Sequence, residues 1–489
     1  MKYVVIGGGI AGTCCTEELC RVVRPDDNVV LISAAPVLKG VANTARITQN
    51  IEDFEVVERD LSELPFPNLE VMIASVSALD TVRKTVHLEG GGQCQYDRLC
   101  ICNGATPKSL AQHPRVVTLR DSTTVEELVS RLPSLRRIVL VGNGGIALEL
   151  VHALKGLQVV WVARHSHIGD AFFDLDAAEY LLNELRGDAA MSDVVCPGGL
   201  GGERETREEG STVDSPCSTS NGSKSFYITS MQGRRFGNAV GPRWTASLPS
   251  GASKRSITVE SDCEVQRLVP HPLYKKGDTS WPITIDLTNG HSHGADLVIC
   301  AIGVSPNARW LPQELERSGD DGGVLVNRNM QTSVEGVWAA GDVCTVRLNE
   351  RRPHWFQMRL WTQARHMGAH AAHSMAGVAE ETGSGFTFEL FTHVTRFVGK
   401  KVVLLGQYNG QGLEDEPEAD MVTYSRITEA PKSTFVRVLL LRGRMVGAVL
   451  IGETELEEAF ENLILDGLDL STFGPALLDP DVEIDHMFD

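Results

Sequence analysis

Two glycine-rich turns carry the chemistry most readily read from this chain. Gly7-Gly-Gly9-Ile-Ala-Gly12 has the spacing G-x-G-x-x-G, and Gly142-Asn-Gly144-Gly-Ile-Ala147 repeats it with alanine in the last place. This spacing suits a dinucleotide diphosphate. The first glycine allows a tight turn, the second lets a phosphate approach the backbone, and the third lets the following helix pack close to the preceding strand. The exposed N–H groups and positive dipole end of that helix then face the anion. Each turn sits in the context the chemistry requires. Tyr3–Ile6 reads as a buried strand and Ala11–Arg21 as a helix, while Arg137–Val141 reads as a second strand ahead of a second helix. Two such units in one chain make a chance match far less credible than one.

The elements that must position these turns follow in order. Asn28–Ser33 is the next strand of the first unit, and it ends in Ser33 where a carboxylate would usually grip ribose hydroxyls; a serine binds a hydroxyl more weakly. Residues 34–68 are mixed, with Pro36 and Lys39 in a loop. Alternating apolar positions across Val71–Leu88 suggest a small antiparallel unit. The strand Tyr96–Cys102 runs into Asn103-Gly104-Ala-Thr-Pro107. In the second unit Gln158–Ala163 is followed by Arg164-His165. From Gly187 to Lys254 the chain turns to glycine, serine, threonine and charge without apolar periodicity, which predicts a largely disordered insertion. Strands are expected at Ile257–Val269 and Ile283–Leu287. Asp296–Ile302 leads into Gly303-Val-Ser-Pro-Asn307, and Gly336-Val-Trp-Ala-Ala-Gly341-Asp342 precedes an amphipathic helix over about Phe356–Met375. The remainder, 386–489, reads as α+β.

Composition narrows the class. A net charge of −19 argues against a nucleic-acid surface, which carries a basic footprint. No run of about 18 apolar residues predicts a membrane span. A first strand at Tyr3 leaves no room for a cleavable leader. Eleven cysteines without a repeating framework suit reduced thiols, hence a cytoplasmic or nuclear setting.

The order of fingerprint, NGATP turn, second fingerprint, AIGVSPN and AAGD resembles the pyridine nucleotide-disulphide oxidoreductase family of two-dinucleotide-binding-domain flavoproteins. The resemblance implies an α/β fold with two Rossmann-like domains and a C-terminal α+β domain. The FAD-binding domain would be discontinuous, 1–120 and 296–380, with an NAD(P)H-binding domain over 121–295 inserted and 386–489 following. Gly7, Gly9, Gly12, Ser33, Gly104, Gly303, Gly341 and Asp342 would hold FAD, with Asp342 accepting a hydrogen bond from its ribityl chain. Leu360 and Trp361 would begin the helix aimed at the flavin, although Trp361 reads equally well as core. Gly142, Gly144 and Ala147 would cradle NADH or NADPH, and Arg164 would meet a 2′-phosphate. Lys39 and Glu149 would form a catalytic pair beside the flavin, against the alternative of two unrelated surface residues.

One feature of the family is missing. Its disulphide reductases carry C-x₄-C shortly after the first fingerprint, and here Pro36–Ile47 holds no cysteine. The resemblance therefore implies an FAD-dependent NAD(P)H oxidoreductase that gives electrons to oxygen or another acceptor without a protein disulphide. Metal binding is not expected, since His165-Ser-His167 and His291-Ser-His293 each lack the further ligands a zinc site needs. The segments NGGIALELV, MRLWTQAR and VLIGETELEEAFENLIL resemble one member of the family closely. That resemblance implies a second reading, a redox-dependent partner of the catalytic subunit of the tRNA ligase complex that protects it from oxidation. The acidic end, Leu477–Asp489, reads as a solvated tail or as a docking segment.

Overall fold

The computed structural model describes residues 1–48, 50–60, 64–119, 122–187, 194–195, 235–237, 241–242, 256–275, 278–350, 352–378, 388–428 and 433–479. Its first layer is a five-stranded parallel sheet. Strand Lys2–Ile6 lies at the centre, flanked by Asn28–Ser33 and Arg98–Ile101, with Leu69–Ile73 and Val337–Ala339 at the edges. Val4, Val5, Val29, Val30, Leu31, Leu99 and Cys100 are all fully buried. They form continuous apolar runs because helices or loops cover both faces of a parallel sheet. Helix Ile10–Val22 covers one face and packs along helix Trp361–Ala376. A Cβ at Gly368 would lie 2.2 Å from the Ala11 carbonyl oxygen, so only glycine permits this close crossing.

The second layer is a six-stranded parallel sheet around Arg137–Val141, which pairs with Gln158–Val162 on one side and Leu297–Cys300 on the other. Here the expected boundaries move. Val116–Thr118 and Leu297–Cys300 fall within the stretches read as the FAD unit, yet they pair with each other inside this second sheet. Their hydrogen bonds assign them, and no local sequence signal records which sheet a short apolar strand joins.

Other expectations shift for identifiable reasons. Residues 37–60 form a hairpin of Val37–Arg46 with Glu52–Asp60, so Lys39 is on a strand and not in a loop. A register shift between Ala42 and Ala45, with Asn43 at φ 51°, breaks the alternation that would have revealed it. Val71 and Ile73 belong to the parallel strand Leu69–Ile73, leaving Val76–Asp80, Thr85–Leu88 and Gln93–Gln95 as the antiparallel unit. Within the stretch read as a disordered insertion, Arg235–Gly237 pairs with Val56 and Val57, and Val194–Val195 pairs beside Ile257 and Thr258. Gly241–Pro242 pairs with Phe236 and Gly237, Gly187 ends helix Leu175–Gly187, and the rest of that stretch lies outside the described residues. The predicted helix at Phe356 begins only at Trp361. Phe356 instead stacks on Phe391 at 4.2 Å, and Met358 N–H donates to Gln363 Oε1.

The C-terminal unit is a five-stranded antiparallel sheet in the order 392–397, 400–406, 444–451, 434–441, 421–428, with helix Glu457–Asp466 on one face. Leu477 and Leu478, read as the start of a solvated tail, are buried in this unit's core. Residues 480–489 lie outside the described chain. No described helix is long and apolar enough to cross a membrane.

Candidate active site and its cofactor cavity

Strand Lys2–Ile6, the Gly7–Gly12 turn and helix Ile10–Val22 form one side of a cavity of about 1090 Å³. Gly7 sits at φ 117°, and a Cβ there would lie 2.3 Å from the Cys102 carbonyl oxygen. A Cβ at Gly12 would lie 1.8 Å from the Gly7 carbonyl oxygen, so this glycine sets the helix against the turn. Gly9 differs from both. A Cβ there would meet no protein atom within 4 Å, and no side chain caps the helix it begins. Its emptiness is on the ligand side, as a diphosphate cradle requires.

Ser33, Ser75 and Val76 line the cavity beyond the second strand. The Ser33 hydroxyl donates to the Ala35 carbonyl at 2.9 Å and accepts from Ala35 N–H, so its own loop engages it. The opposite wall comes from two turns locked together. Asn103 Nδ2 donates to the Asn307 carbonyl at 3.0 Å, Asn307 Nδ2 donates back to the Asn103 carbonyl at 2.9 Å, and the Thr106 hydroxyl donates to Asn307 Oδ1 at 2.6 Å. Gly104 lines the cavity between them. Gly303 accepts from Lys108 N–H at the far end of the same pairing.

Lys39, Glu58, Asp342 and Trp361 gather at the other end. Lys39 N–H donates to the Gly8 carbonyl at 3.0 Å, and its ammonium lies 5.9 Å from the Trp361 ring centre. Glu58 stands opposite Lys39 in the strand register. The Asp342 carboxylate takes no hydrogen bond from any described residue. Burial raises its pKa, and the Arg359 and Lys39 charges pull against that rise. Arg359 braces the turn by donating to the Asp342 carbonyl at 3.0 Å and pairing with Asp321 at 2.7 Å. Burial of Asp321 works against its charge. The Arg359 guanidinium, the Gly323 N–H and the Thr345 hydroxyl outweigh it and hold the carboxyl at about 2. Leu360 is the residue before helix Trp361–Ala376, and no side chain caps that helix. Its open N–H groups and dipole favour negative charge in front of Trp361.

Sequence reading missed several participants. Glu58 had no motif to mark it. The two asparagines sat in the NGATP and SPN turns and were legible there as turn residues only. His393 comes from the C-terminal sheet: its Nδ1 lies 3.1 Å from the Thr362 hydroxyl and its ring stacks on Phe172 at 6.2 Å. Burial lowers His393 to about 4, so a neutral ring faces the start of the helix, where a cation would be disfavoured.

The second fingerprint is built alike. A Cβ at Gly142 would lie 2.1 Å from the Ala301 carbonyl oxygen, whereas one at Gly144 would meet nothing within 4 Å. Ala147 is fully buried in the helix–strand contact. Asn143 ties the turn to the 164–170 loop by accepting from Gly169 N–H at 2.6 Å, donating to the His167 carbonyl at 2.8 Å and bonding Asp170. Trp161 Nε1–H donates to the Gly142 carbonyl at 2.8 Å. Arg164, expected at a 2′-phosphate, is paired with Glu264 at 2.7 Å on an open surface. Glu149 lies on helix Gly145–Ala153 outside the first cavity's lining.

Comparison with known proteins agrees with this architecture. The family model described as pyridine nucleotide-disulphide oxidoreductase matches residues 1–189 and 229–376. The chain belongs to that family. It is 38% identical over 514 aligned residues to pyridine nucleotide-disulfide oxidoreductase domain-containing protein 1 of Mus musculus, covering all of this chain and 98% of the relative. The solved structure of a NAD-dependent persulfide reductase from A. fulgidus has a TM-score of 0.67 at 18% identity, over 99% of this chain and 80% of the other. The NADH-bound water-forming NADH oxidase from Lactobacillus brevis has a TM-score of 0.66 at 15% identity, over 99% and 94%. The chain is thus a two-dinucleotide-binding flavoprotein whose cofactors are FAD and NAD(P)H. The open Gly9 cradle, the unengaged Asp342 carboxylate and the uncapped helix at Trp361 fit FAD in the first cavity.

Among the described residues the cysteines are free thiols, and Cys102 supplies the only sulfur in the cavity lining. Cys100 and Cys102 Sγ lie 3.4 Å apart beneath the diphosphate turn, with Cys15 beside them. The expectation for metal changes here as well. His291 and His293 do not lack a third donor: Glu260, some thirty residues earlier, faces both. Strand pairing brings it there, which spacing along the chain could not show.

Proposed function

We propose that this oxidoreductase passes electrons from NADH or NADPH to a diffusible acceptor, oxygen or another small oxidant, without a protein disulphide. One observation carries the reading. The segment that holds the redox cysteines in the disulphide reductases is here Pro36 and the strand Val37–Arg46, which meet the cavity with Pro36, Val37 and Lys39 and offer no thiol. Bound FAD supplies a hydride acceptor that can return electrons singly or in pairs.

The chain's own residues supply the rest. Gly9 and the helix after it would hold the diphosphate, and Asp342 would accept a hydrogen bond from the cofactor's polyol. Helix Trp361–Ala376 would present its positive end to negative charge developing on the bound flavin. Lys39 adds a cation at the same end, and the family resemblance assigns Glu149 as its carboxylate partner beside the flavin. Replacing Lys39 by alanine is expected to slow reduction by NADH with FAD retained; unchanged reduction under single-turnover conditions would remove Lys39 from the mechanism.

Absorbance of the purified protein, before and after NADH under argon and then in air, tests the whole reading. Bleaching followed by recovery in air supports it. Fast turnover with a defined disulphide substrate would overturn it. A binding role for the NAD(P)H-bound form toward the catalytic subunit of the tRNA ligase complex rests on the family resemblance and is compatible with this chemistry. NADH-dependent co-purification with that subunit is the expected result, in a cytoplasmic or nuclear setting that keeps the thiols reduced. Equal recovery with and without NADH would argue against it.

A further inference from the structure

We propose that Glu260, His291 and His293 form a zinc site on the NAD(P)H-binding domain, with solvent at the fourth position. Glu260 ends strand Ser256–Glu260 and is only 3% exposed. His291 and His293 come from the antiparallel meander that follows. As alternate residues of an extended segment they share a face. His293 Nε2 lies 2.8 Å from Glu260 Oε1 and His291 Nδ1 lies 3.0 Å from Glu260 Oε2, while Asn289 Nδ2 donates to Oε2 at 2.9 Å. One atom from each of the three ligands lies within 4.8 Å of the others. Tetrahedral ligands held about 2.0–2.1 Å from zinc are about 3.3 Å apart; measured to Glu260 Oε1 alone, His293 Nε2 at 2.8 Å and His291 Nδ1 at 3.2 Å are already close to that spacing.

Charge supports the same conclusion. A carboxylate removed from water is costly unless a positive partner offsets it. Among the described ion pairs Glu260 has no lysine or arginine, only the two histidines. Two imidazole nitrogens and one carboxylate oxygen are a donor set for zinc, whereas calcium and magnesium take oxygen ligands. His291 is half exposed and leaves an open side for water. The site would clip the meander to the parallel sheet. Glu260 also accepts a backbone hydrogen bond from Ala163 N–H at 2.8 Å, so the clip reaches the turn that carries Arg164.

The test uses the full FAD-loaded chain, stripped with EDTA and equilibrated by dialysis against zinc chloride, with bound metal measured by elemental analysis. Wild type is expected to hold one zinc per chain. His291→Ala, at a half-exposed position, is expected to weaken binding at least about tenfold, and His291→Ala/His293→Ala to abolish it. The flavin spectrum and metal-free melting temperature of His291→Ala report that it is folded. X-ray absorption should show only nitrogen and oxygen neighbours. Zinc retained in full by the double variant, a sulfur neighbour, or no saturable zinc in wild type would each overturn the site.

Discussion

Replacing Gly9 by alanine separates cofactor binding from folding, and the structure gives the size of both effects. Gly9 has φ −79° and ψ −179°, a conformation alanine adopts freely, and its new Cβ would touch no protein atom within 4 Å. Alanine loses less unfolded-state freedom than glycine, a gain of roughly 0.4–1 kcal/mol. It is a poorer helix N-cap than glycine, an offset of similar size. The FAD-free melting temperature should therefore move by no more than about 4 °C. The same methyl group projects into the space a diphosphate needs. Overpacking of this kind costs about 1–3 kcal/mol, which is about a fivefold to 150-fold weaker Kd for FAD. Gly12→Ala is the contrast. Its Cβ would lie 1.8 Å from the Gly7 carbonyl oxygen, so the turn itself must part and the FAD-free protein should lose stability. Flavin fluorescence titration of the apoprotein measures Kd, and circular dichroism follows melting. The reasoning is refuted if Gly9→Ala binds FAD within twofold of wild type, or if it melts as low as Gly12→Ala.

Other predictions follow from single contacts. Asp342→Ala removes a charge-assisted hydrogen bond to the cofactor, about 1.5–3 kcal/mol, and should weaken FAD by roughly tenfold or more; flavin retained through gel filtration at micromolar protein would count against the role. His393 has a folded pKa of about 4, below its unfolded value of about 6.5, so the native state resists a proton that the unfolded state takes up. Its contribution to stability is complete above about pH 6.5 and is lost as pH falls from there toward 4. His393→Phe should flatten the melting temperature between pH 7 and 5, and an unchanged slope would assign the acid sensitivity elsewhere. If Arg164 meets a 2′-phosphate, Glu264 would compete for it, and this exposed pair is worth up to about 1 kcal/mol. Glu264→Gln should tighten NADPH up to about fivefold with NADH unchanged, and equal effects on the two cofactors would exclude a 2′-phosphate contact at Arg164.

Much of the framework was legible because it is local. Each fingerprint pairs a buried apolar strand with a helix and a glycine spacing, and all three signals lie within about twenty residues. The same locality made AAGD and the NGATP turn readable. Lys39 was legible as a residue to watch but not as a strand residue, since the bulge at Ala42–Ala45 interrupts the alternation. Glu58, His393 and the Glu260–His291–His293 cluster had no local signal. Each acquires its meaning from a neighbour supplied by strand register or by packing between units.

The sequence by itself determined two glycine turns with dinucleotide-binding spacing, an aspartate after the Ala-Ala-Gly turn that lines the same cavity as the first of them, and a segment, Val37–Arg46, without a cysteine pair. These depend on residue type at fixed spacing, which short-range backbone geometry converts directly into a shape. Only the tertiary structure decided which short strands join which sheet, that the Ser33 hydroxyl belongs to its own loop, and that a buried glutamate lies between two histidines. Hydrogen-bond partners and burial are set by groups far apart along the chain, and spacing carries no record of them.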